Sequence, residues 1–176
     1  MSTYQIDPAH SSAQFKVRHM MIANVKGEFE KVSGTVNFDA ANPAASTVEA
    51  AIDVASIGTR DEQRDAHLKS ADFFDVEKFP TIAFKSKKVT ATGGGSFTVV
   101  GDLTIHGVTK EVELKVEELT EETKDPWGNL RRGASAKTRI HRKDFGMSFN
   151  MALEAGGFLV GEEVDLTIDV ELVRQV

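Results

Sequence analysis

Cysteine is absent from this chain of 176 residues. That excludes disulfides, a thiolate nucleophile and any cysteine-ligated zinc or iron–sulfur site. Tyrosine and tryptophan occur once each, against 11 phenylalanines. A buried Tyr or Trp needs a partner for its polar atom and Phe does not, so whatever these rings line is oily and poorly equipped for polar specificity. Basic runs are missing too: no stretch of five Lys/Arg interrupts a chain of net charge −6. Such a surface repels a polyanion, which argues against nucleic acid as a partner. No apolar run approaches the ~18 residues of a spanning helix, so stable membrane insertion is not expected. The first residues, MSTYQIDPAHSS, lack a basic start followed by an apolar segment, and a cytoplasmic location is the expectation.

What is present is two-residue alternation along most of the length. Ala13, Phe15 and Val17 alternate with Gln14, Lys16 and Arg18; Val36 and Phe38 flank Asn37 after Phe29. Further runs follow at Val48–Val54 (with Ala50 and Ile52), at Ile82 and Phe84, and at Phe97–Ile105 (with Leu103). Val112, Leu114 and Val116 alternate with Glu and Lys, and the last runs are Ala134–Ile140 and Val164–Leu172. Period two with polar outsides means antiparallel strands, each with one wet face. Asn42-Pro43, the triple glycine at 93–95, His106-Gly107 and Asp125–Gly128 punctuate them. With 40% apolar and 27% charged residues and no linker or repeat, residues 1–176 read as one domain.

About eight such strands can form a sandwich or a closed barrel. Several inward positions are small: Ala13, Ala50, Gly101, Ala134 and Ala136. In a barrel this size the interior is either filled by side chains or wide enough for one slim ligand. These small residues fit a ligand space, and they equally fit the taper of a solid core.

Two segments break the alternation. Residues 59–71, TRDEQRDAHLKSA, read as a helix, with Thr59 as N-cap and Glu62 completing a capping box. Phe73 and Phe74 lie just beyond. Asp65 and His67 point to nearly opposite sides, a poor arrangement for a metal or an acid/base pair and a good one for a solvated surface. In DFGMSFNMALEAGG, 144–157, Phe145 and Phe149, and Met147 and Met151, are spaced four apart. One helical turn would pair them, although Gly146 fits a loop equally well. Met adapts to irregular shapes and marks both cores and adjustable binding surfaces.

Nothing in the pattern carries catalysis or a metal. The histidines, at 10, 19, 67, 106 and 141, form no HExxH and no metal-ligand spacing, and GxSxG, P-loop and GxGxxG motifs are missing. The turn positions of His10 and His106 suit side-chain bonds to the backbone. No catalytic residue, metal ligand or cofactor is assigned.

Six stretches carry a family resemblance: YQIDPAHSSAQFKVRHM (4–20), RDAHLKSADFFDVEKFP (64–80), GDLTIHGVTKEVEL (101–114), DPWGNLRRG (125–133), IHRKDFG (140–146) and VGEEVDLTIDVEL (160–172). In this order they resemble the YceI-like family of lipocalin-like barrels associated with polyisoprenoid binding. Tyr4 stands where that family often has Trp, and the export signal that many members carry is not seen. The resemblance implies an all-β, eight-stranded antiparallel lipocalin-like barrel with a short helical segment at one end. Its interior would hold a polyisoprenoid, quinone-type or fatty-acyl lipid, bound, carried or stored without catalysis.

Under that reading Phe15, Val17, Phe29, Val36 and Phe38 line the first strands. Ala50, Ile52, Phe84, Leu103 and Leu114 line the middle ones. Ala134, Ala136, Ile140, Leu166 and Ile168 complete the wall, with the alanines as open space. Phe73 and Phe74 turn inward below the helix, and Phe145, Met147 and Phe149 form an adjustable mouth. A head group there would meet polar residues such as Arg142 or Asp144. An enzyme acting on a lipid-like substrate, and a stress-related protein with a filled core, are the alternatives. A homodimer formed through the outer barrel faces is a further expectation.

Overall fold

Alternation at period two gives every strand one wet and one dry face, and dry faces are satisfied when the sheet curls onto itself. The computed structural model, which describes residues 1–176, shows this closure. The strand segments are β1 (Ser2–Ile6), β2 (Ser12–His19), β3 (Ala23–Phe29), β4 (Val32–Phe38), β5 (Thr47–Asp53) and β6 (Ile57–Gly58). They continue as β7 (Thr81–Gly93), β8 (Ser96–Ile105), β9 (Val108–Glu117), β10 (Thr123–Lys124), β11 (Leu130–His141) and β12 (Val160–Arg174). Three strands are bent rather than separate. β1 runs on into β2 past a turn at Pro8–His10, β3 into β4, and β5 into β6 past a turn at Val54–Ser56. Eight antiparallel strands therefore make the ring, with β10 as a short flap on β11. β12 closes it, pairing with β11 on one side and with β2, then β1, on the other. Closure removes the exposed edges at which sheets aggregate.

The chain reverses between β7 and β8 at Gly94 and Gly95, with φ of 63° and 79°. Two successive left-handed residues match the twist of a tight hairpin, and glycine adopts them without strain. Gly101 has a different task. A Cβ there would lie 2.5 Å from the Lys85 carbonyl oxygen and 2.6 Å from the Phe84 ring. Its smallness makes a bed for Phe84, so of the two readings open for the small inward positions, this one takes core packing.

Helix α1 spans Glu62–Lys69, shorter than the expected 59–71, and Asp61 caps it in place of Thr59. Asp61 accepts from the Arg64 amide at 3.0 Å. Thr59 is buried and tied sideways: its Oγ1 donates to Asp65 at 2.5 Å and accepts from Arg64 Nε at 2.8 Å. The left-handed Arg60, φ 64°, turns the chain between these two roles.

Packing is uneven around the ring. Fully buried side chains come mainly from β1 to β8, among them Tyr4, Phe15, Phe29, Val32, Phe84 and Leu103. The inward residues of β9, β11 and β12, such as Leu114, Ala134, Ala136, Leu166 and Ile168, remain only half-buried because they face a void.

Candidate functional site

That void is a cavity of about 570 Å³ running through the barrel, and 37 of its 46 lining residues are hydrophobic. It falls within the range of ~300–1,000 Å³ common for ligand sites. Its mouth lies at the α1 end, where Asp61, Gln63 and His67 are exposed and still line it. At the far end Tyr4 donates to Glu122 at 2.6 Å and accepts from Arg132 at 3.0 Å. The Arg132 guanidinium lies over the Phe38 ring at 5.4 Å, so this polar clasp sits against the cavity wall from outside.

Of the residues expected to line the lumen, all but one do. β2 and β3 supply Phe15, Val17 and Phe29; β4 and β5 supply Val36, Phe38, Ala50 and Ile52; β7, β8 and β9 supply Phe84, Leu103 and Leu114. β11 and β12 supply Ala134, Ala136, Ile140, Leu166 and Ile168. Ala136 faces Ile168 across the β11–β12 pair, at mid-length. Phe73 and Phe74 turn inward as expected, Phe74 packing edge-on to Phe29 at 5.7 Å.

Phe145 is the exception. It is 1% exposed but does not reach the cavity wall, because Arg142–Phe145 forms a single 3-10 turn that tucks its ring into the core. Gly146, left-handed at φ 74°, ends that turn. The two pairs spaced four apart therefore never share a helical face. Met147 and Phe149 line the lumen, while Met151 is 59% exposed. Phe149 packs edge-on with Phe73 at 5.2 Å and with His67 at 5.0 Å, an aromatic rim across the mouth. Asp144 is exposed and does not line the cavity, whereas Arg142 does.

Arg142, expected to meet a head group at the mouth, is only 3% exposed. Burial lowers its pKa from the ordinary value while Glu162 pulls the other way, and an arginine stays charged throughout. Its N–H groups donate to the carbonyls of Gly161 (2.7 Å), Met147 (2.7 Å), Phe149 (2.8 Å) and Val160 (3.2 Å). One side chain thus ties the segment after the 3-10 turn to the start of β12. No residue pattern marks it in the sequence.

A family model described as the YceI-like domain matches residues 4–172. The chain belongs to the YceI-like family. A UPF0312 protein of Vibrio cholerae is 42% identical over 174 residues, 98% of this chain and 87% of its own length. Burkholderia cenocepacia BcnA superposes with a TM-score of 0.82 at 25% identity, over 94% of this chain and 98% of that one. A polyisoprenoid binding domain from Saccharophagus degradans, implicated in plant cell wall breakdown, superposes with a TM-score of 0.71 over 99% and 100% of the two chains; at 15% identity this likeness is one of fold.

The YceI-like barrel also gathers Asp7, His10 and Glu171 on its outside. The cluster has an occupant already: Arg131 reaches Asp7 at 2.8 Å, Asp125 at 2.7 Å and Glu171 at 3.1 Å, bracing the β1–β2 turn against the DPWGN loop. Arg131 first, then His10, holds the Asp7 carboxyl down from 3.8 to about 2. Arg131 likewise holds Asp125 down to about 2. A carboxyl depressed in the folded state stabilises it above pH 3.8 and loses that contribution as pH falls toward 2. Urea midpoints are therefore expected to fall steeply between pH 4 and pH 2, and Asp7→Asn to flatten that limb while lowering the plateau at pH 7. An unchanged limb in Asp7→Asn would remove Asp7 from the acid response.

Proposed function

We propose that this protein takes up a single long apolar chain, an isoprenoid, quinone tail or fatty-acyl group, in the barrel lumen, and binds, carries or stores it without catalysis. The observation that supports this is the continuous oily cavity through the axis. Each buried CH₂ contributes about 0.8 kcal/mol. Ten buried carbons give roughly 8 kcal/mol before association costs, which alone corresponds to about micromolar binding. A lumen of this kind distinguishes chains by only about 1–3 kcal/mol per methylene, so breadth is the expectation.

The name of the Saccharophagus degradans domain, a polyisoprenoid binding domain of the same fold, supports the same ligand class here. A lumen of this size runs against a filled core. For the enzymatic alternative, acid and base groups should converge deep in the cavity. Instead the ionisable lining, Arg18, His19, Asp61, Arg64, His67 and Arg142, belongs to the last residues of β2, to α1 with its N-cap and to the 3-10 turn, and His67 is bonded to Asp72 at 2.9 Å.

Native mass spectrometry of the purified protein, before and after incubation with farnesol and hexadecanol, tests the reading. One bound chain per barrel is the expected result. A spectrum of bare protein under both conditions would overturn it.

A further inference from the structure

The charges of the cavity wall do not follow those of the molecule. The chain carries −6 overall, yet the charged side chains lining the cavity are Arg18, Arg64 and Arg142 against one carboxylate, Asp61. Asp61 is committed to capping α1 through its bond to the Arg64 amide.

None of these three arginines forms a salt bridge. Elsewhere Arg131, Arg139 and Arg174 each have a carboxylate partner at 3.1 Å or closer, while Arg60 and Arg132 have none, and none of these five lines the cavity. The cavity arginines rest on neutral oxygens instead. Arg18 donates to the Met21 carbonyl at 3.0 Å, Arg64 to the Thr59 hydroxyl at 2.8 Å and carbonyl at 2.7 Å, and Arg142 to its four carbonyls. Neutral acceptors satisfy the N–H geometry and leave the net positive charge in place. Arg18 is exposed, Arg64 half-buried and Arg142 buried, so screening of their charge falls with depth, and the low-dielectric walls focus the field outward through the mouth.

Resting on the lipid-binding reading above, we propose that the preferred ligand is an amphiphile with an anionic head group, a carboxylate or a phosphate ester. Its tail fills the lumen and its head is held at the α1 end by Arg18 and Arg64, with the buried charge of Arg142 behind them. Guanidinium groups pair bidentately with both kinds of oxyanion. A neutral alcohol of the same length gains the tail contribution alone.

Three probes of one chain length separate head from tail: palmitate, hexadecyl phosphate and hexadecanol, each titrated below its aggregation limit. Palmitate and hexadecyl phosphate are expected to bind about tenfold or more tightly than hexadecanol, a margin that shrinks as salt is raised. In an Arg18→Gln/Arg64→Gln double variant the margin over hexadecanol should fall to about twofold, hexadecanol serving as the internal reference for any change at the rim. Arg18→Lys/Arg64→Lys, which keeps both charges, should restore most of it; this control also separates lost charge from a damaged rim. Equal binding of all three probes overturns the head-group inference and leaves the lipid reading intact. If no probe binds, both fall. A margin that survives the Gln double variant overturns the assignment to these arginines.

Discussion

In an Ala136→Trp variant, uptake of a C16 chain should fall by about two orders of magnitude while the barrel stays folded. Ala136 lies mid-strand on β11, opposite Ile168, with its methyl toward the lumen. An indole there occupies space along the path of the ligand. Displacing about four methylenes' worth of contact removes roughly 3 kcal/mol, a weakening of ~200-fold. The fold should tolerate the change, because overpacking is costly where side chains are already in contact and this methyl faces empty space. Far-UV circular dichroism should remain β-type. The one natural tryptophan, Trp127, is 82% exposed, so blue-shifted emission in the variant would report the new indole in an apolar site. Lys137→Trp is the control. Its exposed side chain belongs to the opposite face of the same strand, and uptake there should be unchanged. Full uptake by Ala136→Trp with blue-shifted emission would show that the ligand does not occupy this part of the lumen.

How much of this was legible in the sequence differs by scale. Strand identity was legible, because alternation over runs such as Val164–Leu172 is a local signal that closure of the barrel only reinforces. The inward set followed from it: once Ala134 and Leu166 are placed on dry faces, period two fixes their neighbours. Positions governed by side-chain geometry across the chain were not legible. Thr59 and Asp61 are both good N-caps by type, and the choice between them falls to Asp65 and Arg64, which hold Thr59 sideways. Whether Gly101 is ligand space or packing stays open in the sequence, and it is a seat for Phe84, a distinction that depends on the register between β7 and β8. Tyr4, 1% exposed, owes its burial to Glu122 and Arg132, which are more than a hundred residues away. Phe145 and Phe149 are the same residue type four apart, yet Gly146 between them sends one to the core and the other to the mouth.

Arg142 is the position where a single conservative change should do most damage. Its guanidinium meets the carbonyls of Met147, Phe149, Val160 and Gly161, and only Val160 has a second side-chain donor, Asn150 at 2.8 Å. Arg142→Met keeps the apolar stem and removes every donor, so four carbonyls lose a bond and three of them keep no side-chain donor. A buried orphan acceptor costs about 1–3 kcal/mol. Part of that cost is avoidable, since the segment from 147 to 159 can swing into water, so the net loss should settle near 3 kcal/mol. For a chain of this length that corresponds to a fall in Tm of roughly 6–12 °C. Arg142→Lys should lose at least half as much, because one ammonium is a compact point charge and cannot span acceptors arrayed around a planar fork. Hydrogen exchange distinguishes local release from global weakening. The amides of Met20, bonded to the Leu159 carbonyl, and of Val160, bonded to Asn150, should exchange faster than those of the β7–β8 hairpin. If Arg142→Met melts within 2 °C of the parent and protects both amides, the bonds it makes are dispensable and the 147–160 segment is held by its apolar contacts alone.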